Sequence, residues 1–204
     1  MPDLFTIGHS THSVDTFISL LDMHGIMAVC DVRSSPYSRY NPQFNRETVQ
    51  QELKRRGIAY VFLGKELGPR SDDPACYENG KVQYDRLARA DLFQEGLRRI
   101  RQGMGFYRIA LMCSEKDPAT CHRTILVCRH LRDKDIRIRH ILEDGSVEEN
   151  DATIRRIRDL LRLPESDLFT SSEEMVERAY DIQGDRIAYV QEDDKPPRES
   201  GRET

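Results

Sequence analysis

The sequence predicts a doubly wound α/β protein, with a mostly parallel five-stranded sheet, helices on both faces and a C-terminal helical extension. Three observations predict this class. Short apolar runs alternate five times with stretches of helical spacing. One of the runs, MAVCDVR, is nearly continuous, as is typical of a strand buried on both faces. Reactive side chains gather where the apolar runs end, which is where parallel sheets bind ligands.

The first half of the predicted sheet contains three strands and two helices. FTIG is the first strand, and SVDTFISLLDMHGI places Phe17 and Leu21 at helical spacing before Gly25. MAVCDVR is the second strand, and RETVQQELKRRGI has the Val49 and Leu53 spacing of a helix. AYVFLG is the third strand, so strands and helices alternate from the start of the chain.

The second half repeats the alternation after residues 66–85, whose Gly, Pro, Asp and Asn content predicts a long loop. DLFQEGLRRIR is a predicted helix, and YRIALMC is the fourth strand. TCHRTILVCRHLRDK is the next helix, and IRIRHIL is the fifth strand. From about residue 143, NDATIRRIRDLLRL and the shorter SSEEMVERAY are two further helices. We therefore expect an α/β core domain over 1–142, a helical extension packed on it over 143–190 and a disordered tail over 191–204.

Composition and charge exclude several classes of protein. The 204 residues carry 31 Lys and Arg against 35 Asp and Glu, a formal charge of -4, so there is no overall attraction to nucleic acid. No apolar run approaches the roughly 20 residues of a membrane span, and MPDLFTIGHS has no apolar leader. We expect a cytoplasmic protein without a membrane partner. Its five cysteines, an odd number, are expected to be reduced thiols.

The predicted strands end in residues able to carry chemistry. The strand ends read Gly8-His9-Ser10, Asp31-Val32-Arg33-Ser34 and Cys113-Ser114-Glu115. The opposite loops MHGI, RRGI, RQGMGF and RDKDI carry turn and solubilising residues instead. As catalytic candidates we take His9, Cys113, Glu115 and His122. As substrate-binding candidates we take Ser10, Asp31, Arg33, Ser34, Cys121 and Arg123.

The stretch CSEKDPATCHR, residues 113–123, holds the densest set of these candidates. Asp117 and Pro118 are typical of a helix N-cap and first helical position, which places Cys121 and His122 in the second turn. On that helix Cys121 faces the sheet as a buried thiol, whereas Cys113 at the strand end faces the crevice. A thiol near a helix start can be activated or can simply pack in the core.

A metal site at this stretch needs Cys113, Cys121 and His122 to converge, together with His9 or His140. The seven residues between the cysteines do not form a C-x2-C knuckle, and adjacent residues point roughly 100° apart on a helix. We therefore predict no metal and no cofactor. A cysteine followed by arginine at phosphatase spacing and a G-x-G-x-x-G loop are both absent from the sequence.

Five motifs in order along the chain resemble one protein family. They are GHS, DVR followed by PYSRYNPQFN, GIAYVFLGKELG, LMCSEKDPATCHR and HIL. Over roughly residues 4–142 the chain resembles the family called domain of unknown function 488. The resemblance implies that the candidates within these motifs form a family hallmark, and it implies no reaction. The hallmark positions are His9, Ser10, Asp31, Arg33, Cys113, Glu115, Cys121, His122 and Arg123.

Three functional hypotheses follow. The first is an enzyme acting by acid–base chemistry on a small anionic, phosphate-bearing substrate such as a nucleotide or nucleic-acid component, held by Arg33 and Arg123. The second is a thiol-based redox or sulfur-transfer enzyme that uses Cys113. The third is a non-catalytic module that binds nucleic acid or a protein through the basic and aromatic residues of RRGIAYVFLGK and RIRHIL.

Overall fold

The computed structural model describes residues 1–132 and 135–191 of the chain. Its main sheet has the strand order β3-β2-β6-β1-β7-β8, in which the first five strands are parallel and β8 runs antiparallel to β7. These strands are β1 (Asp3–Gly8), β2 (Ala28–Asp31), β3 (Ala59–Phe62), β6 (Ile109–Cys113), β7 (Arg137–Ile141) and β8 (Val147–Glu149). The α/β class is confirmed, and the strand number rises from five to six. Sequence patterning missed β8 because its three residues, VEE, contain no apolar run.

Helices cover much of the described chain. The α-helices are α1 (Val14–Met23), α2 (Arg46–Arg55), α3 (Gly64–Leu67), α4 (Tyr84–Arg89), α5 (Asp91–Met104), α6 (Arg129–Leu131), α7 (Asn150–Leu161) and α8 (Ser172–Ile187). Three 3-10 turns cover Pro42–Phe44, Pro74–Cys76 and Pro118–Thr120, and a π-helix covers Arg123–Cys128. None of the described helices is long and apolar enough to cross a membrane.

The long loop predicted over residues 66–85 is more ordered than its composition indicates. It contains a hairpin of β4 (Tyr77–Glu78) and β5 (Lys81–Val82). Asn79 and Gly80 join the two strands with positive φ angles of 49° and 72°, as the tight turn of a hairpin requires. The prediction was wrong because Asn and Gly mark a hairpin turn as well as a loop.

Each face of the sheet has its own apolar core. Phe5 and Ile7 of β1 pack with α1 and α2 on one face. Leu4 of β1 packs with α5 and the π-helix on the other face. Strand side chains alternate between the faces, so a single strand serves both cores. The helices on both faces make the sheet doubly wound, as predicted.

The topology places a crevice at the carboxyl end of β6. This strand lies between β1 and β2, whose following helices α1 and α2 cover one face of the sheet. The chain after β6 enters the π-helix on the opposite face. Neighbouring strands whose connections leave in opposite directions form a switch point, where α/β sheets bind ligands.

The C-terminal helices pack on the turn that follows β6. Ile154 of α7 and Tyr180 of α8 form an apolar cluster with Ala119 and Ile125. Helix α8 is longer than predicted, and Ser171 with Glu174 forms a capping box at its start. Except for residue 191, the tail predicted to be disordered lies outside the described residues.

Candidate functional site

Four side chains converge where β6 ends. The carboxylate Oε2 of Glu115 accepts hydrogen bonds from the Cys113 thiol at 2.7 Å and from the Cys121 thiol at 3.0 Å. The Nδ1 atom of His122 lies 3.6 Å from the Cys113 sulfur and 4.0 Å from the Cys121 sulfur. One donor atom from each residue lies within 4.8 Å of the other three. We call these four residues the thiol–carboxylate cluster.

The orientation of His122 is fixed from behind. Its Nε2 atom lies 2.9 Å from the backbone oxygen of Val32, which can only accept a hydrogen bond. Nε2 therefore carries the proton in the neutral imidazole, and the lone pair of Nδ1 points at the two sulfur atoms. His122 is buried, so the contact with Val32 holds this tautomer inside the protein.

A break in the helix brings Cys121 and His122 together. Asp117 caps the 3-10 turn by accepting a hydrogen bond of 2.9 Å from the backbone N–H of Ala119. The turn ends after three residues, and Cys121 has an extended backbone with φ -121° and ψ 137°. The continuous helix predicted for this segment is therefore wrong, although the Asp117 cap is confirmed. Because Cys121 is not helical, the angle that argued against convergence does not apply.

The two cysteines are equally enclosed. Cys113 is 2% exposed and Cys121 is 1% exposed. The strand-end position of Cys113 predicted that its thiol faces the crevice, but the thiol is as buried as that of Cys121. Glu115 is exposed at the surface, but its Oε2 atom reaches inward to both thiols. Glu115 is thus the member of the cluster that connects the buried thiols with solvent.

The electrostatics keep the Cys121 thiol protonated and Glu115 charged. Burial alone would raise the pKa of Glu115, but hydrogen bonds from both thiols and the nearby His122 lower it to about 2. Burial, reinforced by its contact with Cys113, raises the pKa of the Cys121 thiol well above its usual value. At neutral pH a carboxylate ion therefore faces a thiol that does not ionise readily.

Arg123 supports the loop that carries Glu115. Its side chain is fully buried and donates to the backbone oxygens of Glu115 at 2.6 Å and Lys116 at 3.3 Å. Its Nε donates to the Thr6 hydroxyl at 3.2 Å. The guanidinium is thus engaged with interior acceptors, away from the substrate role predicted for it.

Asp31 and Arg33, both taken as substrate-binding candidates, form a buried ion pair with each other. Arg33 donates to both carboxylate oxygens of Asp31, at 2.9 Å and 2.7 Å, and to the backbone oxygen of Phe44 at 2.9 Å. Its remaining nitrogen, Nη1, lies 3.1 Å from Nε2 of His9. Arg33 is therefore committed to this network rather than open to an anion.

His9 belongs to the same network and stays neutral. Its Nδ1 lies 2.9 Å from the backbone oxygen of Ser10, and its ring stacks on Phe44 at 4.3 Å. Burial and the Arg33 charge lower the pKa of His9 to about 4. Both ring nitrogens have partners, so His9 does not join the thiol–carboxylate cluster.

The remaining candidates, Ser10 and Ser34, make hydrogen bonds with the backbone of neighbouring loops. Ser10 has a left-handed φ of 47°, and its N–H donates to the Ser114 oxygen at 3.0 Å. Ser34 lies away from the cluster, where its hydroxyl accepts from the Arg70 N–H at 3.1 Å. Gly8 lies so close to the Glu115 backbone that an added Cβ would stand 1.9 Å from its carbonyl oxygen. The loops after β1 and β6 are therefore in direct contact.

Three residues near the site were not found from sequence. Tyr60 donates a hydrogen bond of 2.7 Å to Asp31, and only the register of β3 on β2 reveals this neighbour. Arg156 donates to both oxygens of Asp117, at 2.8 Å and 2.9 Å, from a helix predicted to lie outside the core. Lys116 was visible inside the motif, and its charge next to Glu115 was the available signal.

A cavity of about 460 Å³ opens beside the Glu115 loop. It lies between the turn after β6 and the segment after β7. Its lining residues are Lys116, Asp117, Pro118, Leu142, Glu143, Asp144 and Arg156. Two cationic and three acidic side chains therefore line the cavity beside the Glu115 loop, together with Pro118 and Leu142.

These features define an α/β protein with a buried thiol, carboxylate and imidazole centre at the switch point of its sheet. The family model described as Domain of unknown function DUF488 matches residues 13–129, more than half of the chain. The chain belongs to this family. The match includes Cys113 to Arg123 and the Asp31–Arg33 pair, and it begins after the GHS motif. No curated protein and no solved structure gave a significant match to the chain.

Proposed function

We propose that the protein is an enzyme that transfers protons at the thiol–carboxylate cluster on a small anionic, phosphate-bearing substrate. One observation carries the proposal: the Oε2 atom of Glu115 contacts two buried thiols at 2.7 Å and 3.0 Å while the residue itself reaches solvent. Burying ionisable groups costs stability that apolar side chains would not cost. Such clusters in a crevice are typical of active sites.

Glu115 is the proton acceptor in this proposal, and a bound substrate must raise its low pKa by displacing the thiol hydrogen bonds that lower it. It is the one member of the cluster with an exposed side, so a substrate approaching from solvent meets its carboxylate first. His122 points its Nδ1 lone pair at the thiols and so helps to position the two cysteines that contact Glu115. His9, a second candidate at the sequence level, has both nitrogens engaged and takes no part in proton transfer.

The substrate is proposed to bind in the cavity beside Glu115. Lys116 lines this cavity and replaces Arg33 and Arg123 as the group that holds an anion, since Arg156 is already paired with Asp117 and Glu148. Lys116 is 60% exposed and pairs with Glu143, which is 46% exposed. Exposed pairs of this kind contribute little stability, so an incoming phosphate group can displace the carboxylate at small cost.

The proximity of two thiols favours a second candidate, a thiol-based redox or sulfur-transfer enzyme. Cys113 and Cys121 share one acceptor oxygen, an arrangement that places their sulfur atoms close together. The raised pKa of Cys121 counts against it, because the thiolate is the reactive form. Acid–base chemistry at Glu115 is therefore the function we prefer.

The proposal is tested by incubating the full chain with a panel of nucleotides, sugar phosphates and phosphate esters and following them by mass spectrometry. We expect turnover of at least one panel member. Glu115→Gln should lower kcat by at least about 100-fold, the usual contribution of a general base. Lys116→Ala should raise KM with little change in kcat, since it removes binding alone.

Glu165→Gln is the matched control, because Glu165 is exposed and lies outside the cluster. A folded protein that neither binds nor converts any panel member would contradict the proposal. So would a Glu115→Gln variant as active as Glu165→Gln. Turnover of disulfides or persulfides that is abolished by Cys113→Ser would instead establish the thiol enzyme.

A further inference from the structure

We propose that Cys113, Cys121 and His122, together with Glu115, bind one divalent metal ion, for which zinc is the best chemical match. Two sulfurs, one imidazole nitrogen and one carboxylate oxygen form the donor set. Thiolate and imidazole ligands select zinc and related transition metals, whereas magnesium and calcium prefer oxygen. Nothing about this site depends on which substrate the enzyme uses.

The donor atoms already lie at spacings close to those of a tetrahedral zinc site. Zinc–ligand bonds of about 2.0 to 2.3 Å at tetrahedral angles place neighbouring ligand atoms roughly 3.3 to 3.8 Å apart. The His122 nitrogen lies 3.6 Å and 4.0 Å from the two sulfurs, close to this spacing. The Glu115 oxygen lies 2.7 Å and 3.0 Å from them, because protons join these atoms. Metal binding therefore requires Glu115 to withdraw by about 1 Å or less.

Charge balance favours a divalent ion. The fully buried guanidinium of Arg123 donates to the backbone oxygen of Glu115, beside the cluster. A divalent ion bound by two thiolates, one carboxylate and a neutral imidazole leaves a total charge of -1, which balances Arg123. A buried charge that keeps its compensation avoids the large cost of an unpaired ion.

The surroundings of the cluster are those of a supported metal site. His122 donates its Nε2 proton to the Val32 oxygen, and ligating histidines commonly make such a bond because it orients the ring. Arg123 donates a hydrogen bond to the backbone oxygen of Glu115. Gly8 has no side chain, which lets the Glu115 backbone lie close to the end of β1. Three ligands are thus fixed before any metal arrives.

The ligands differ in access to solvent. Cys113, Cys121 and His122 are buried, while Glu115 is exposed on its outer side. Catalytic zinc sites have three protein ligands and a fourth position open to water or substrate, and here Glu115 occupies that fourth position on the solvent side. If Glu115 yields its place to water, it is well placed to accept the proton of that water. This last role rests on the proposed function, whereas the metal site does not.

The test uses the reduced full-length chain, stripped of metal by a chelator and titrated with Zn²⁺ by calorimetry and with Co²⁺ by absorbance. We expect one equivalent of either ion and the visible bands of tetrahedral cobalt with thiolate ligands. Cys121→Ala should lower the affinity at least about 100-fold, since it removes a ligand. Cys128→Ala is the matched control, because Cys128 is equally buried but lies outside the cluster.

A folded wild-type chain that binds neither ion stoichiometrically would overturn the metal site. Equal binding in folded Cys121→Ala and folded Cys128→Ala would also overturn it, since removing a ligand would then have no greater effect than removing a buried cysteine outside the cluster. Circular dichroism of both variants shows whether they are folded. Glu115→Gln supplies a further check: it should weaken binding less than Cys121→Ala does, because the three buried ligands remain. Metal binding without turnover would contradict the proposed function alone, and turnover by a folded chain that binds neither ion stoichiometrically would contradict the metal site alone.

Discussion

The Nη1 atom of Arg123 donates a hydrogen bond of 2.6 Å to the backbone oxygen of Glu115. Arg123 opens the π-helix, and Glu115 lies in the loop after β6, so this bond joins the two segments that carry the cluster. The guanidinium is fully buried and has neutral oxygens as its hydrogen-bond partners. Arg123 is thus a positioning residue for Glu115.

Replacing Arg123 by alanine should destabilise the protein by about 3 kcal/mol or more, since a fully buried side chain is removed and three oxygen acceptors lose their donor. Urea unfolding followed by circular dichroism measures the loss. Arg55→Ala is the control, because Arg55 is 60% exposed and its loss should change stability by less than about 0.5 kcal/mol. A similar small change for both variants would show that Arg123 does not hold the loop.

Gly8→Ala should disrupt the site through the backbone. The new Cβ would lie 1.9 Å from the Glu115 oxygen, and neither backbone segment can move without breaking hydrogen bonds between the loops after β1 and β6. We expect a loss of more than about 3 kcal/mol in the free energy of unfolding. Gly25→Ala, at φ +62° in open space, should cost only about 1 to 2 kcal/mol. Equal losses in the two variants would argue against the close contact.

Tyr60→Phe should weaken the Asp31 network without destroying it. The variant loses the hydrogen bond of 2.7 Å to Asp31, while the bonds from Arg33 remain. A hydrogen bond to a charged group contributes about 1.5 to 3 kcal/mol, and we expect a loss at the lower end because Tyr60 is only partly buried. Chemical denaturation measures it against Tyr40→Phe, which alters a side chain that is 79% exposed. No difference between the two would exclude a stabilising role for Tyr60.

His140 should make stability depend on pH. It is fully buried between Thr6, at 2.8 Å, and Asn150, at 3.3 Å. Burial, together with the Arg123 charge, lowers its pKa to about 3. The unfolded chain takes up a proton near pH 6.5 and the folded chain does not, so this stability is present above pH 6.5 and is lost as the pH falls toward 3.

Between pH 7 and pH 5 the contribution of His140 should fall by about 2 kcal/mol. Urea unfolding at the two pH values measures the change, and His140→Gln should show a pH dependence smaller by that amount. Comparing the two chains cancels the effect of the carboxylates. A variant with the same pH dependence as the wild type would mean that His140 is protonated in the folded protein.

The sequence by itself determined the α/β class, because strand and helix periodicities depend on local spacing alone. Five of the six strands in the main sheet follow from apolar runs, and β8 was missed because it has none. The family also followed from the sequence, since ordered motifs need no coordinates. The sequence also predicted that the candidate residues lie at the carboxyl edge of the sheet, because parallel strands all end on one side.

Only the tertiary structure decided which candidates meet. Cys121 and His122 converge with Cys113 because the 3-10 turn ends early and leaves Cys121 extended, which helical periodicity cannot reveal. Arg33 and Arg123 look alike in sequence as anion-binding residues, yet each also contacts a residue distant along the chain, His9 for Arg33 and Thr6 for Arg123. Spacing limits where a side chain can lie, but packing fixes what it touches. The candidate metal site therefore depends on contacts that no local pattern encodes.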